Sequence, residues 1–289
     1  MPDNAPPDPV VVESAARTGR PDLHPQQSRT GTIHSHPAFP ARIVAPRDVH
    51  VYVPPGYERQ ITARYPVLYL QDGQNVFEAG DMGAGWRVNE TADALIEAGQ
   101  IEPLIVVAVT NTRARRDEYT PTAIEWTVAD GSISKGGGKA DLYGRFLIEE
   151  LKPFIDRTYR TRSDAASTAL GGASLGGLVS VWLALQHPEL FGGVLAVSPT
   201  VWWDNSVILT KIAALPRTAP VRFWVDIGTR EGENAVSGAR RLRDALVAKG
   251  WRPGTDLEYV EQEGGRHDEI SWGSRVEGML SFLYGTPKV

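Results

Sequence analysis

Residues 171–178 read GGASLGGL, and within them Gly172, Ala173, Ser174, Leu175 and Gly176 form a G-x-S-x-G pentapeptide. The preceding residues 166–170 (ASTAL) suit a short buried strand, and Leu178, Val179, Val181, Trp182 and Leu185 then give a helical apolar face before His187 and Pro188. A strand that must become a helix within a few residues leaves the chain little freedom. The turn residue takes a strained backbone, and the residues two positions away must lack bulk where strand and helix cross, which glycine at 172 and 176 provides. The pentapeptide alone is common. Set between a strand and a helix, it is the context that lifts a serine out of the fold as a nucleophile.

The rest of the chain alternates strand-like and helix-like segments. Residues 30–36 and 45–53 could pair as antiparallel edge strands, closed by the turn signal Pro54, Pro55, Gly56. Continuous apolar runs at 65–70 and 104–110 suit strands buried on both faces. Between them, 88–98 has helical spacing and ends at the cap-forming Gly99. A helix is predicted to open at Gly136–Gly138 and run through Leu151, with Pro153 as a break or restart. Strands are then expected at 193–197, 221–227 and 257–261, and helices at 234–248 and near 271–283. Such alternation predicts an α/β fold with a mostly parallel sheet covered by helices on both faces. Residues 1–27, rich in Pro, Asp, Ala and Arg, read as a disordered or loosely packed N-terminal tail, and 28–289 as a single domain.

A chain of 289 residues with 42% hydrophobic and 22% charged residues is sized for one large domain. Its net charge of -5 offers no electrostatic footprint for nucleic acid or an anionic membrane. The absence of cysteine excludes disulfides, thiolate metal sites and cysteine nucleophiles. No run approaches a membrane span, and no basic start precedes an apolar stretch at the N-terminus, so a cytoplasmic location is expected, with a secreted or periplasmic one open. Oligomeric state is not legible.

A serine needs a base, and the base works best when a third group holds its tautomer. With this nucleophile turn the partners follow in the chain order serine, acid, histidine. Of the six histidines, His24, His34, His36 and His50 precede Ser174 and His187 ends the helix after it, which leaves His267 in the glycine-rich loop EGGRHD at 263–268. The acid is expected at Glu231, in the loop after the strand at 221–227, with Asp226 inside that strand as the alternative and Glu233 ranked behind both. The oxyanion donors are the amide of Leu175 and that of Gln74 in the turn DGQN, with Asn75 as the alternative to Gln74. Trp202, Trp203, Trp86 and Asp72 are candidate substrate-binding residues. Arg113, Arg115 and Arg116 could meet an anionic substrate, although a solvated charge run explains them better. His34 and His36 share a strand face without a third ligand, so neither a metal nor a cofactor is expected.

Together, VYVPPGY at 51–57, YPVLYLQDGQNVF at 65–77, GGASLGGL at 171–178, SPTVWW at 198–203 and GGRHDEISW at 264–272 resemble the putative esterase family of the α/β-hydrolase superfamily. That group includes enterochelin esterases, esterase D-type S-formylglutathione hydrolases, bacterial feruloyl and acetylxylan esterases, and mycolyltransferases. The resemblance runs from about Thr30 to Leu283 and implies an α/β-hydrolase fold with Ser174 and His267 catalytic. It also implies an acid at Glu231, after the Gly-Thr turn, where many relatives carry aspartate. The SPTVWW and Trp86 segments look most like the siderophore-esterase side of the family. The expectation is a cofactor-independent serine esterase acting through an acyl-enzyme on a small-molecule, carbohydrate or siderophore ester. Its competitors are an acyltransferase using the same site and a non-catalytic binding protein on a hydrolase scaffold.

Overall fold

The computed structural model describes residues 30–77, 85–128, 131–216 and 219–286, together with the backbone of 10–12. Its strands are β1 Val10–Val12, β2 Thr32–Phe39, β3 Arg47–Val53, β4 Val67–Gln71, β5 Ile105–Val109, β6 Ala123–Thr127, β7 Ile133–Gly137, β8 Thr168–Ala173, β9 Gly193–Val197, β10 Arg222–Gly228 and β11 Leu257–Gln262. Nine of them form one sheet in the order β1-β2-β3-β5-β4-β8-β9-β10-β11. The β5-β4-β8-β9-β10-β11 portion is parallel, and β1, β2 and β3 join antiparallel. This is the α/β-hydrolase fold.

Period-2 alternation sends each central strand into two cores. Along β4, Val67 and Tyr69 pack with one core and Leu68 and Leu70 with the other. The helices are α1 Val88–Glu97, α2 Arg115–Glu118, α3 Ala140–Arg145, α4 Lys152–Thr158, α5 Leu175–Gln186, α6 Trp203–Ala214, α7 Glu233–Ala248, α8 Glu269–Gly273 and α9 Val276–Tyr284. Residues of α5, α6 and α7 build the first core, and Val88, Ala92 and Leu95 of α1 with Val276, Met279 and Leu280 of α9 build the second.

Several expectations are corrected. The segment at Gly136–Gly138 does not open a helix. Ile133–Gly137 is a strand that pairs with β6 in a separate hairpin, and Gly137 and Gly138 leave it at φ 94° and 85°, so the helix starts at Ala140. Pro153 marks a restart, as one of the two expectations had it: α4 begins at Lys152 with the proline in its first turn. A π-helical turn at Phe146–Leu151 runs directly into α4, and the change of helical pitch falls where the proline cannot donate an N–H. The pair predicted as edge strands forms, but β3 is interior, bonded to both β2 and β5. The terminal helix divides into α8 and α9, and α6 was not foreseen. Of the expected tail at 1–27, Val10–Val12 pairs antiparallel with β2 and the remainder lies outside the described residues. No helix among the described residues is long and apolar enough to cross a membrane.

Candidate active site

Ser174 stands between β8 and α5 at φ 57° and ψ −120°, a backbone conformation that non-glycine residues rarely adopt. Bonds on either side of the residue hold it there. Its amide donates to Val197 O at 3.0 Å, and its carbonyl accepts from Leu178 N and Thr200 N, each at 3.1 Å. The helix therefore begins its own bonding at Leu178, and the amides of Leu175, Gly176 and Gly177 have no upstream acceptor within it. Such orphan donors at a helix start suit a developing anion. The Ser174 hydroxyl lies 3.2 Å from Thr200 Oγ1, a buried group after β9.

The loops after the parallel neighbours β10 and β11 leave the sheet side by side at its carboxyl edge. Three bonds stitch them together: Thr229 N to Gln262 O, Arg230 N to Gly265 O and Gly264 N to Thr229 Oγ1, each at 2.9 Å. The approach is so close that a Cβ on Gly228 would stand 2.3 Å from Gly265 O, which is why glycine is required there. Across this seam His267 Nδ1 meets Glu231 Oε2 at 2.6 Å. The Glu231 side chain is fully buried, whereas that of His267 is 45% exposed. Glu231 Oε1 accepts from Gly228 N at 2.7 Å and Ser198 Oγ at 2.6 Å. Burial pushes the Glu231 carboxyl up, but the bonds from His267, Ser198 and Gly228 outweigh it and hold the group below the usual carboxylate range.

Asp226, the alternative acid, lies within β10 and is fully buried. Its carboxylate takes Trp224 Nε1 at 2.7 Å, Ser198 N at 3.1 Å and Arg275 Nη2 at 3.1 Å. Burial pushes it up to about 6, against the pull of Arg275. The described contacts join His267 to Glu231, and those of Asp226 run to Trp224, Ser198 and Arg275.

A cavity of about 240 Å³ opens over Ser174 and is also lined by His267, Gln74, Asn75, Trp86 and Trp272. Gln74 occupies a tight 3-10 turn, Gly73–Asn75, that follows β4 and faces the start of α5 across the cavity. The turn is pinned at both ends. Asp72, left-handed at φ 58°, accepts from Asn111 Nδ2 at 2.6 Å and takes a bidentate pair from Arg115 at 2.7 and 2.8 Å. Asn75 Nδ2 donates to Glu269 Oε1 at 3.0 Å. Arg115 therefore departs from the solvated run expected of it, and Arg116 packs 4.7 Å over the Trp126 ring. Both sit on α2, a short helix that sequence spacing gave no reason to place beside β4.

Of the aromatic candidates, Trp86 lines the cavity and packs against Trp272 with ring centroids 6.0 Å apart and planes tilted by 56°. Trp203 is buried, its Nε1 donating to Thr122 O at the foot of the β6–β7 hairpin, and Trp202 is 55% exposed; neither lines this cavity. Thr200, Ser198 and Trp272 were not singled out individually, although they lie within the quoted SPTVWW and GGRHDEISW segments. His36 Nε2 bonds Tyr159 Oη at 2.7 Å, and His50 Nδ1 bonds Ser35 Oγ at 2.8 Å. Among the described residues no three His, Asp or Glu side chains are grouped to hold a metal ion.

Residues 41–283 match the family model described as Putative esterase. The chain is 27% identical over 265 residues to the uncharacterized protein YbbA of Bacillus subtilis, covering 88% of this chain and 97% of that one. It is 30% identical over 241 residues to the ferri-bacillibactin esterase BesA of the same organism, covering 78% and 81%. The crystal structure of the BES protein from Bacillus cereus superposes with a TM-score of 0.68 at 19% identity, covering 93% of this chain and all of the other, a likeness of fold.

Proposed function

This chain belongs to the Putative esterase family and is an esterase, and from that premise we propose that it hydrolyses carboxylic esters through a Ser174–His267–Glu231 triad and an acyl-enzyme. The observation that carries the reading is the 2.6 Å bond from His267 Nδ1 to the buried, ionised Glu231, at the mouth of the cavity that Ser174 lines. With Nδ1–H donated to the carboxylate, Nε2 is the unprotonated nitrogen and the base.

In this mechanism the Ser174 hydroxyl leaves Thr200, gives its proton to His267 Nε2 and attacks the ester carbonyl. The amides of Leu175 and Gln74 stabilise the oxyanion. His267 passes the proton to the departing alkoxide, and water, activated by the same imidazole, releases the acid. Glu231 stays ionised throughout and stabilises the imidazolium. A cavity of about 240 Å³ that offers Asn75, Asn111 and Glu269 as polar groups and Trp86 and Trp272 as aromatic walls takes one part of a substrate ester. The BesA relative directs the choice of substrates toward siderophore esters. The test is a panel of acyl p-nitrophenyl, feruloyl, acetylxylan and trilactone siderophore esters, run on the native chain and on Ser174→Ala. Hydrolysis of any of them that survives Ser174→Ala overturns the mechanism.

A further inference from the structure

Ser198 follows β9, is 2% exposed and carries a left-handed backbone at φ 42°. Its hydroxyl meets three groups: Trp272 Nε1 and Arg275 Nη2, each at 3.0 Å, and Glu231 Oε1 at 2.6 Å. An indole N–H and a guanidinium can only donate, so both lone pairs of the hydroxyl are occupied. Its single proton then has one destination, the carboxylate of Glu231.

We propose that Ser198 is a positioning residue for the acid–base pair: its hydroxyl, oriented by Trp272 and Arg275, fixes Oε1 of Glu231 so that Oε2 alone faces His267. The inference rests on the triad reading above. Because Oε1 also accepts from Gly228 N, the carboxylate cannot exchange its oxygens without breaking three bonds, two on Oε1 and the one to His267. Trp272 acts on both partners, since its ring also meets the imidazole of His267 edge-on with centroids 4.9 Å apart. Arg275 stands 3.1 Å from Asp226 and 3.9 Å from Glu231, so its charge is answered by Asp226 while it orients the hydroxyl. That leaves the negative charge of Glu231 for the imidazolium.

The left-handed backbone supplies a control. Ser198→Gly and Ser198→Ala both delete the hydroxyl, but only glycine relieves φ 42°. A positioning role predicts that both lower kcat by about 10- to 100-fold with KM within about twofold, and that both weaken the low-field His267 Nδ1–H proton resonance. Trp272→Phe, which keeps an aromatic ring and removes one orienting donor, should lower kcat by about 3- to 10-fold. A merely structural residue gives the opposite pattern: Ser198→Gly has kcat within about twofold of native and an unchanged resonance, while Ser198→Ala is impaired. That result overturns the proposal. If neither Ser198 variant folds, Trp272→Phe decides, and a kcat within about twofold of native overturns it. Ser174→Ala separates the two readings. Should it be inactive while Ser198→Gly is native-like, the triad stands and the positioning role falls; should Ser174→Ala retain activity, both fall.

Discussion

His267 Nδ1 lies 2.6 Å from Glu231 Oε2, although the two residues are 36 positions apart and belong to loops of different strands. The distance follows from β10 and β11 being parallel neighbours whose ends release both loops at one edge, and from Gly228 and Gly265 letting the loops touch. A second carboxylate, Asp226, sits beneath the same loop and is bound instead to Arg275, Trp224 and the backbone of residue 198.

That division of labour separates two variants. Glu231→Gln should lower kcat by about 10³- to 10⁴-fold with a small change in Tm, because the neutral amide neither fixes the tautomer nor stabilises the imidazolium. Asp226→Asn should lower Tm first, by leaving the buried Arg275 without its nearest counter-charge, and should lower kcat by less than about tenfold. Thermal melts and steady-state kinetics on both variants check this; the reverse pattern would move the acid to position 226.

At the nucleophile turn, Gly172→Ala should cost roughly 1–3 kcal/mol of stability together with activity. A Cβ at position 172 would stand 2.9 Å from Gly176 C and 2.9 Å from Gln71 Cβ, and the first of these is backbone that cannot step aside. Denaturant unfolding of the variant measures the cost. An unchanged midpoint would show that strand and helix have room to separate.

How much of this was legible in sequence varies with how local each signal is. The strand, turn and helix around Ser174 occupy one contiguous stretch, and their apolar periodicities are unbroken, so they could be read directly. His267 emerged from chain order, which needs no contacts. The β6–β7 hairpin escaped notice because its strands, AIEWT and ISKGG, are short and half exposed, with only Ile124 and Trp126 sharing an apolar face, while the glycines of the second mimic a helix boundary. The start of α6 was hidden by Asp204, Asn205 and Ser206, which read as a loop and have left-handed backbones. The cluster of Ser198, Trp272 and Arg275 joins residues 74 and 77 positions apart, and no local pattern announces such a meeting.

Arg115 clamps Asp72 and, through it, the turn that carries Gln74. Arg115→Leu should free that turn and lower kcat by about 10- to 100-fold, with a smaller change in KM, because an oxyanion donor matters most in the transition state. Kinetics on the variant with a neutral ester checks this. A rise in KM alone would mean that Arg115 contacts the substrate instead.

Acid should destabilise the fold through a group remote from the cavity. Burial holds His36 down to about 4, with His34 and His50 adding to the shift, and burial also lowers both of those from the ordinary 6.5. Because the folded-state values lie below the unfolded ones, these residues contribute stability that is complete above the ordinary histidine value and is lost as pH falls through the folded value. Tm should therefore drop between roughly pH 6.5 and 4, and His36→Gln should flatten that drop. An identical slope in the variant would assign the acid sensitivity to other groups.

The central claim is that Ser174 is a nucleophile activated by His267, and a fluorophosphonate tests it without knowledge of the substrate. The reagent should add once, on the peptide carrying Ser174, with loss of ester hydrolysis in proportion, and His267→Ala should slow the addition by about 10³-fold or more. Ready labelling of another residue, or full activity after Ser174 is modified, would contradict the account.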